Sequence, residues 1–484
     1  MTNLSAAQLD RACGVLLATA AGDALGAGYE FREPLPDDAV VSMIGGGGFG
    51  WEPGEWTDDT SMAIAIAEVA ATGADLRGKG AQDAIVSRWE EWSKTSKDVG
   101  MQTSAVLGRV RGGGATAALA VSREMHERTG RTGGNGNLMR TAPVALAYLD
   151  DPDGLFEAAS ALSALTHYDP EAGEAAALWC LAIRHALLTG ALDARVGLGY
   201  LDDSRAALWA ERLGVAERSR PSDFRNNGWV VEALQAAWCA IATTVVPVDD
   251  PVSRVFRADH LRLSLENAVR GGRDADTVAA IAGGLLGGAW GASAVPSRWR
   301  TMLLGWPGIG ARDLLDLAGR IVRKGEPDRF DFGYVGYEVG RPVVAHPHDE
   351  GLLLGDVGAL RALPDEVDAV VSLCRVGDDD IPDGHHWVEV RLIDRNGADN
   401  NPHLDFVLHD TVAAIERLRE QGRTVLLHCV RAQSRTPAVA ALYGMRRHGI
   451  SADRALDDIR GVLPQANPIA DYRAALARTE RSGR

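Results

Sequence analysis

Cysteine is scarce in this 484-residue chain and occurs in no paired spacing. An odd number of widely separated thiols, without any Cys-x-x-Cys pair, argues against a disulfide framework and a zinc-finger type of site. We therefore expect reduced thiols and a cytoplasmic protein. The five cysteines are Cys13, Cys180, Cys239, Cys374 and Cys429.

Basic charge is also in short supply, with 50 lysines and arginines against 66 acidic residues and a net charge of -16. This balance gives no electrostatic footprint for DNA or RNA, so we predict no nucleic-acid partner. Any anionic ligand must instead be held locally, by metal ions, arginines or backbone amides.

Long apolar runs are missing too. Residues 13–21 resemble the core of a signal sequence, but only Arg11 is basic before them and Asp23 follows closely. We predict that this segment is a buried first helix and that the protein has no membrane partner.

Strand-like runs are few before about residue 325, where alanine-rich segments with helical spacing alternate with glycine-rich loops. We predict an all-α domain at residues 1–325 and a linker or strap at residues 326–345, which are rich in glycine and aromatic residues. At residues 346–484, β-branched runs alternate with helical segments, which predicts an α/β domain with a small, mainly parallel sheet. The predicted helices include 61–71, 172–188, 229–242, 277–290, 406–420 and 437–448, and the predicted strands include 369–373 and 424–428.

Two segments of the first domain each place two carboxylates and a hydroxyl within one helical turn. Thr57-Asp58-Asp59-Thr60 opens one small-residue helix, and Asp274-Ala275-Asp276-Thr277 opens another. Such residues often cap helices, so either cluster alone fits a cap. Hard divalent cations also prefer oxygen ligands, and Mg2+ takes about six of them, several from water. The pair of clusters therefore predicts a site for two cations that share a carboxylate.

Five segments, in order along the chain, resemble motifs of the ADP-ribosylglycohydrolase family, the family of the dinitrogenase reductase-activating glycohydrolases. They are GDALG at 22–26 with YEF at 29–31, WTDDT at 56–60, GNGNLMR at 134–140, LTH at 165–167 and DADT at 274–277.

This resemblance implies a fold with two Mg2+ or Mn2+ ions at the floor of a cleft, where they engage the distal ribose and the attacking water. It places Glu30 over the scissile bond. Because positive charge develops on the sugar in an oxocarbenium-like transition state, Glu30 can position the water or take its proton. Asp23 either supports the site or braces a turn, and we assign it no catalytic role. The implied metal ligands are Thr57, Asp58, Asp59, Asp274, Asp276 and Thr277.

The glycine-rich loop at 134–140 is expected to approach the diphosphate of the ligand through its backbone amides. Arg140 either pairs with a phosphate or braces the loop through a salt bridge. His167 either lines the pocket or is a buried structural histidine. The predicted substrate-binding residues are Gly134, Asn135, Gly136, Asn137, Arg140 and His167.

The second domain carries a Cys-x5-Arg motif between an apolar strand and a helix, from Cys429 to Arg435. Five amides turned toward one point at a helix N-terminus make an oxyanion cradle and favour the thiolate that attacks phosphorus. Arg435 would grip two phosphoryl oxygens, and Thr436 would hydrogen-bond the leaving thiolate. The cradle residues are Val430, Arg431, Ala432, Gln433 and Ser434.

This half resembles the dual-specificity and tyrosine phosphatase-like family, since GLLLGD at 351–356 and VVSLC at 370–374 look like its first strands. The family places an aspartate general acid upstream of the cysteine, and Asp394 occupies that place. Asp399 is the alternative because the loop at 395–402 is longer than usual. The family usually has glycine where this chain has Ala432. Alanine at a positive φ costs about 1 kcal/mol or more and reshapes the cradle.

Three hypotheses follow. A bifunctional enzyme would release ADP-ribose from a protein or small-molecule acceptor and, with no cofactor in its second domain, remove phosphate from a second substrate. Alternatively, one pocket, chiefly the C-terminal one, binds ADP-ribose or phosphate without turnover. A structural protein with two capping clusters and no metal is disfavoured by the six intact ligand positions.

Overall fold

The computed structural model describes residues 4–326, 334, 336–377, 380–381 and 384–480. The chain divides into two compact units, which do not follow the sequence order strictly. Unit 1 comprises Met1–Val245, His260–Val295 and Met302–Asp328. Unit 2 comprises Val246–Asp259, Pro296–Thr301 and Arg329–Arg484. Of the predicted linker or strap, residues 327–333 and 335 lie outside the described residues.

Helices dominate the chain up to residue 326, as the sequence predicts. One antiparallel pair of two-residue strands interrupts these helices. The short helix α13 belongs to unit 2. The elements are α1 (Ala6–Gly26), α2 (Asp58–Ala70), α3 (Lys79–Trp92), α4 (Met101–Val110), α5 (Gly114–Thr129), α6 (Ala142–Ala147), α7 (Pro152–Ala164), α8 (Pro170–Thr189), α9 (Asp203–Ala216), α10 (Val230–Thr243), α11 (Asp259–Arg270), α12 (Ala275–Trp290), α13 (Ser297–Arg300), β1 (Leu304–Gly305), β2 (Ile309–Gly310) and α14 (Ala311–Val322).

The centre of unit 1 is the packing of α1 on α12, two helices of small residues. A Cβ added at Gly22 would collide with the backbone of Ala279, and one added at Gly283 would collide with the backbone of Ala18. The two helices therefore lie closer than side chains would allow, and this close approach depends on glycine. Residues Ala6–Tyr29 have the length and hydropathy of a membrane span, but their apolar window is wholly buried within the protein, as in a core helix.

Unit 2 contains a five-stranded sheet with the strand order β3-β4-β7-β5-β6. Only the pairing of β3 with β4 is antiparallel, so the predicted small, mainly parallel sheet is present. The elements are β3 (Val344–His346), β4 (Asp349–Asp356), β5 (Ala369–Ser372), β6 (His386–Glu389), α15 (Leu404–Glu420), β7 (Val425–Cys429), α16 (Arg435–His448), α17 (Ala452–Val462) and α18 (Ala470–Thr479).

The central strand β7 ends at Cys429, level with Asp356 at the end of β4. All five residues of β7 and all four of β5 are buried, as expected for the middle of a parallel sheet. Because parallel strands end at the same edge, the loop that follows Cys429 lies at the carboxyl edge of the sheet, where open α/β sheets bind ligands.

Candidate functional site

The two acidic clusters of unit 1 lie at the N-termini of α2 and α12, but they do not behave as helix caps. Thr57 and Asp274 occupy the N-cap positions, and neither side chain accepts a capping hydrogen bond from a backbone amide of its helix. The hydroxyl of Thr57 instead donates to Asp59 Oδ2 at 3.0 Å. Thr57 and Asp274 thus make no side-chain cap, and the Thr57 hydroxyl is directed to Asp59.

Carboxylates from three parts of the chain converge at this point. Asp23, Asp59 and Asp276 each offer an oxygen within 4.8 Å of the others, and so do Glu30, Asp274 and Asp276. Asp59 Oδ1, Asp276 Oδ1 and Glu30 Oε2 are buried without a hydrogen-bond partner. Buried, unpartnered carboxylate oxygens are costly unless a cation satisfies them. Two such groups with Asp276 in common fit the donor set expected for a pair of hard cations.

The electrostatics of the metal-free cluster agree with this fit. Burial raises the pKa of Asp58, Asp59 and Asp276 well above the usual range, and neighbouring carboxylates raise each further. Burial, followed by the charges of Asp274 and others, raises the pKa of Glu30 to about 9. Without a cation these groups resist ionisation, because their negative charges lie close together in a poorly solvated place.

Asp23 holds the start of α2 in position. Its carboxylate accepts hydrogen bonds from the backbone amides of Thr57 and Thr60, at 3.0 and 2.9 Å, and from the Thr60 hydroxyl at 2.6 Å. Burial is the main reason that its pKa is raised to about 6. Of the two interpretations from the sequence, these hydrogen bonds fit the one in which Asp23 supports the site, because they hold the residues that open α2.

Asp274 is positioned by two asparagines, one of which the sequence did not reveal. Asn135 donates its side-chain amide to Asp274 Oδ2 at 2.7 Å and to the Asn227 carbonyl at 2.9 Å. Asn227 in turn donates to the Gly272 carbonyl at 3.0 Å. The Asn-Asn-Gly sequence at 226–228 indicates a turn, but nothing in it indicates contact with a residue 47 positions away. Thr277 also hydrogen-bonds the side chain of Asp274.

Three of the predicted substrate-binding residues are buried and form hydrogen bonds with neighbouring side chains. Arg140 lies 4.0 Å from the Trp89 ring and donates to the Thr166 hydroxyl at 2.6 Å, so it supports the loop without the expected salt bridge. Asn137 donates to the Ser163 hydroxyl and is fully buried. His167 is buried, with its Nδ1 2.7 Å from the Thr166 hydroxyl, which fits the structural alternative.

The two glycines of the ligand loop pack against His167. A Cβ at Gly134 would lie 3.2 Å from His167 Nε2, and one at Gly136 would lie 3.3 Å from Cε1. The amide of Asn135 is already bonded to the Gly228 carbonyl at 3.0 Å. Glycine thus lets the loop pack closely on the histidine, and the amide of Asn135 is not free for a diphosphate.

In unit 2, Cys429 ends β7 with 1% of its surface exposed, and α16 begins at Arg435. The loop between them has Ala432 in the left-handed region, with φ of 49°. Segment 467–469 holds the loop from outside, since the Asn467 amide donates to the Gln433 carbonyl at 2.6 Å and the Ile469 amide donates to Ser434 Oγ at 3.2 Å. Arg431 is exposed at the loop surface.

Arg435 and Thr436 carry unused donors beside Cys429. Arg435 Nη1 donates to the carbonyls of Leu373 and Leu392, at 2.7 and 3.2 Å. Its Nε is buried without a hydrogen-bond partner and lies 4.0 Å from Asp394 Oδ2. The hydroxyl of Thr436 is likewise buried and unpartnered. Buried free donors next to a thiol fit an anionic ligand. The ion pair places the Asp394 carboxylate beside Arg435, so this candidate acid lies at the loop.

Comparison with known proteins gives matches of both predicted kinds. The family model for ADP-ribosylglycohydrolase matches residues 4–329. Over 303 residues the chain is 29% identical to the ADP-ribosylarginine hydrolase Tri1 of Serratia proteamaculans (strain 568), covering 61% of this chain and 76% of that protein. Over 310 residues it is 30% identical to the ADP-ribosyl-[dinitrogen reductase] glycohydrolase of Rhodospirillum rubrum, covering 61% and 90%.

A further match concerns the phosphatase resemblance. Over 101 residues the chain is 31% identical to Dual specificity protein phosphatase 1 of Arabidopsis thaliana, covering 21% of this chain and 49% of that protein. Both resemblances predicted from the sequence are thus confirmed.

Proposed function

This chain belongs to the ADP-ribosylglycohydrolase family, and we propose that its unit 1 is a metal-dependent hydrolase that cleaves an ADP-ribosyl glycosidic bond and releases ADP-ribose. The observation that carries the proposal is the set of buried, unpartnered carboxylate oxygens on Glu30, Asp59 and Asp276. A purely structural cluster would have these oxygens paired with amides or basic side chains. The substrate is an ADP-ribosylated protein or small molecule.

Two Mg2+ or Mn2+ ions are the proposed cofactors of this site. When bound, they orient the ribose diol and polarise water. Asp276 belongs to both carboxylate groups and is the natural shared ligand. Asp23 positions α2 behind the ligands rather than acting in the reaction. The proposed ligands are Thr57, Asp58, Asp59, Asp274, Asp276 and Thr277.

Glu30 is the proposed acid–base group. In the reaction, the oxygen of water forms a bond to the anomeric carbon of the distal ribose. The bond from that carbon to the acceptor breaks, and its electron pair leaves with the acceptor. The proton lost by the water is taken by Glu30 and passes to the acceptor, so the carboxyl group returns to its starting state.

Mass spectrometry of ADP-ribose release tests the proposal on arginine-, serine- and nucleobase-linked substrates, with Mg2+, Mn2+ or a chelator. We expect the chelator to abolish release. Asp276→Asn should lower the rate on every linkage by about 10- to 100-fold, the usual scale for disturbing the residues around a bound metal. Asp203→Asn, in the first turn of α9, is the matched control and should retain full activity. Release that is unaffected by both chelator and Asp276→Asn contradicts the proposal.

The second proposed function is a phosphatase in unit 2, supported by the free Arg435 Nε and Thr436 hydroxyl beside Cys429. The Cys429 thiolate attacks phosphorus, and the bond to the substrate oxygen breaks with a proton supplied by Asp394. Water then attacks the phosphocysteine, Asp394 takes a proton from it, and phosphate leaves with the thiolate restored. No cofactor is needed, and the identity of the phosphorylated substrate is open.

Turnover of p-nitrophenyl phosphate tests this function, and it should be lost in Cys429→Ser. Cys374→Ser removes a second buried thiol and is the control, expected to remain active. If the parent protein is as inactive as Cys429→Ser but binds tungstate at the loop, unit 2 is a phosphate-binding module without turnover.

We also propose that the protein works in a reducing cytoplasm, with no nucleic-acid or membrane partner. All five cysteines are free thiols in the structure. Alkylation of cell lysate under denaturing conditions, followed by mass spectrometry, should label all five, and a disulfide-linked pair would contradict the proposal.

A further inference from the structure

The loop that carries Asp394 is fixed at the residue before it. The side chain of Asn401 accepts a hydrogen bond from the Ile393 amide and donates one to the Ile393 carbonyl, each at 2.8 Å. The hydroxyl of Tyr472, a fully buried residue of α18, donates to the same carbonyl at 2.8 Å. Two side chains thus bind the backbone of one exposed loop residue, at a place where surface loops commonly bond to water.

The same loop is fixed again just after Asp394, by Asp471 in the first turn of α18. Asp471 Oδ2 accepts from the Gly397 amide at 2.7 Å, and the Asp471 amide donates to Asn396 Oδ1 at 3.2 Å. Gly397 has φ of 113°, which L-residues rarely adopt, so the turn that presents its amide depends on glycine. Asp394 therefore lies between two anchored points of the backbone.

Residues 467–472, which we call the bridging segment, also bind the predicted phosphate cradle. The Asn467 amide donates to the Gln433 carbonyl at 2.6 Å, and the Ile469 amide donates to Ser434 Oγ at 3.2 Å. The bridging segment therefore contacts two loops that are far apart in sequence. It fixes the loop of the proposed nucleophile and the loop of the proposed acid relative to each other.

The anchored loop brings Asp394 to the arginine of the cradle. Asp394 Oδ2 lies 4.0 Å from Arg435 Nε, and Arg435 Nη1 donates to the Leu392 carbonyl at 3.2 Å. A general acid works only within hydrogen-bond reach of the leaving oxygen. Fixing its loop beforehand avoids the entropy cost of ordering that loop during each reaction.

We propose that Asp471 and Asn401 are positioning residues of unit 2, which hold Asp394 where it protonates the leaving oxygen of a phosphorylated substrate. The inference rests on the proposed phosphatase function. As the bond from phosphorus to that oxygen breaks, the proton passes from the Asp394 carboxyl group to the oxygen. Both positioning residues act through the backbone on either side of Asp394. Their loss should therefore matter most for a substrate whose leaving group needs a proton.

Phenyl phosphate and p-nitrophenyl phosphate test the proposal, because phenolate needs a proton to leave and p-nitrophenolate hardly does. In Asp471→Ala, kcat/KM for phenyl phosphate should fall by about tenfold, the scale of one or two lost hydrogen bonds, and that for p-nitrophenyl phosphate by less than about threefold. Asp471→Asn keeps an oxygen that can accept from the Gly397 amide and should recover most of the loss. Asp453→Ala removes the exposed aspartate in the first turn of α17 and should behave as the parent.

Asn401→Asp tests the other anchor with almost no change of shape. The variant keeps an acceptor for the Ile393 amide but turns a carboxylate oxygen, which has no proton to donate, toward the Ile393 carbonyl. It should change the ratio of the two kcat/KM values in the same direction as Asp471→Ala. This ratio does not depend on the fraction of folded protein, so a variant that is merely destabilised would leave it unchanged.

A double-mutant cycle shows whether Asp471 acts through Asp394. If it does, the combination of Asp394→Asn and Asp471→Ala should be no slower on phenyl phosphate than Asp394→Asn alone. A further tenfold loss in the combination, or an equal fall on both substrates in Asp471→Ala, overturns the positioning role while leaving the phosphatase function intact. A parent that turns over neither substrate refutes the phosphatase function, and the positioning role with it.

Discussion

The backbone strain at Ala432 can be tested directly, because its φ of 49° lies in the left-handed region, where L-residues are strained. Ala432→Gly should remove about 1 kcal/mol of strain, stabilise unit 2 and raise kcat on p-nitrophenyl phosphate as the loop relaxes toward an undistorted cradle. Ala438→Gly, inside α16, is the control and should instead destabilise by about 1 kcal/mol. Thermal unfolding and steady-state kinetics measure both. A variant that is stabilised without any gain in kcat would show that Ala432 does not limit turnover.

The choice between Asp394 and Asp399 can be settled by the leaving group. The general acid matters most when the departing oxygen is a poor leaving group, since p-nitrophenolate needs little protonation. Asp394→Asn should therefore slow phenyl phosphate by about 100-fold while affecting p-nitrophenyl phosphate much less, and Asp399→Asn should affect neither. The reverse pattern would move the acid to Asp399, away from the residue that lies 4.0 Å from Arg435 Nε.

At the scale of single residues, the sequence predicted site residues that lie within a recognisable motif. It missed residues that reach the site only through contacts between distant parts of the chain. The positive φ of Ala432 was expected because relatives of the loop have glycine there. Asn227 was missed because its role arises only when the fold brings it to Asp274. For Arg140 the sequence left two roles open, because a buried arginine on the Trp89 ring has the same sequence signature as one that binds phosphate.

The contact between α1 and α12 links a structural element to the metal site. A Cβ at Gly26 would collide with the Cα of Asp276. Gly26→Ala should therefore push α12 away from α1, cost about 1–3 kcal/mol of stability and weaken Mn2+ binding, because one proposed ligand moves. Gly108→Ala, in α4, meets nothing within 4 Å and should be neutral or stabilising by up to about 1 kcal/mol. Thermal unfolding and Mn2+ titration distinguish the two, and a normal Mn2+ affinity in Gly26→Ala contradicts this coupling.

At the scale of elements, the residue ranges of helices and strands were easier to predict than the parts of the chain they pack against. The run predicted as a helix at 277–290 lies within α12, and the strand predicted at 424–428 overlaps β7. Periodicity and β-branching decide such spans locally. The membership of segments 246–259 and 296–301 in unit 2 had no local signal, because it depends on tertiary contacts such as the bonds from Ser297 to the Asp410 carboxylate, at 2.9 and 3.0 Å.

For the molecule as a whole, the two units should respond to acid in opposite directions. In unit 2, burial lowers the pKa of His346, His409 and His428 to about 4 in each case. The unfolded chain binds protons at these residues near pH 6.5, so the stability of unit 2 is lost as the pH falls from about 6.5 to 4. In metal-free unit 1 the pKa of Asp23 is raised to about 6 and that of Glu30 to about 9. Burial also lowers the pKa of His167 and His260 in this unit, which acts in the opposite direction. Because the buried carboxyl groups with a raised pKa outnumber these two histidines, we expect the stability of metal-free unit 1 to be greatest at low pH and to be lost as the pH rises through those values.

Calorimetry between pH 4.5 and 8, with chelator or with Mg2+, would show this divergence. Two variants assign the transitions to the units. Gly26→Ala should lower the unfolding temperature of unit 1, and Ala438→Gly should lower that of unit 2. With chelator, acidification should raise the unfolding temperature of unit 1 and lower that of unit 2. Mg2+ should raise the unfolding temperature of unit 1 most at pH 8. At that pH the carboxylates are ionised and repel each other, and bound cations stabilise them. If Mg2+ leaves the unfolding temperature of unit 1 unchanged at pH 8, the converging carboxylates of Asp59, Asp274 and Asp276 do not bind the metal.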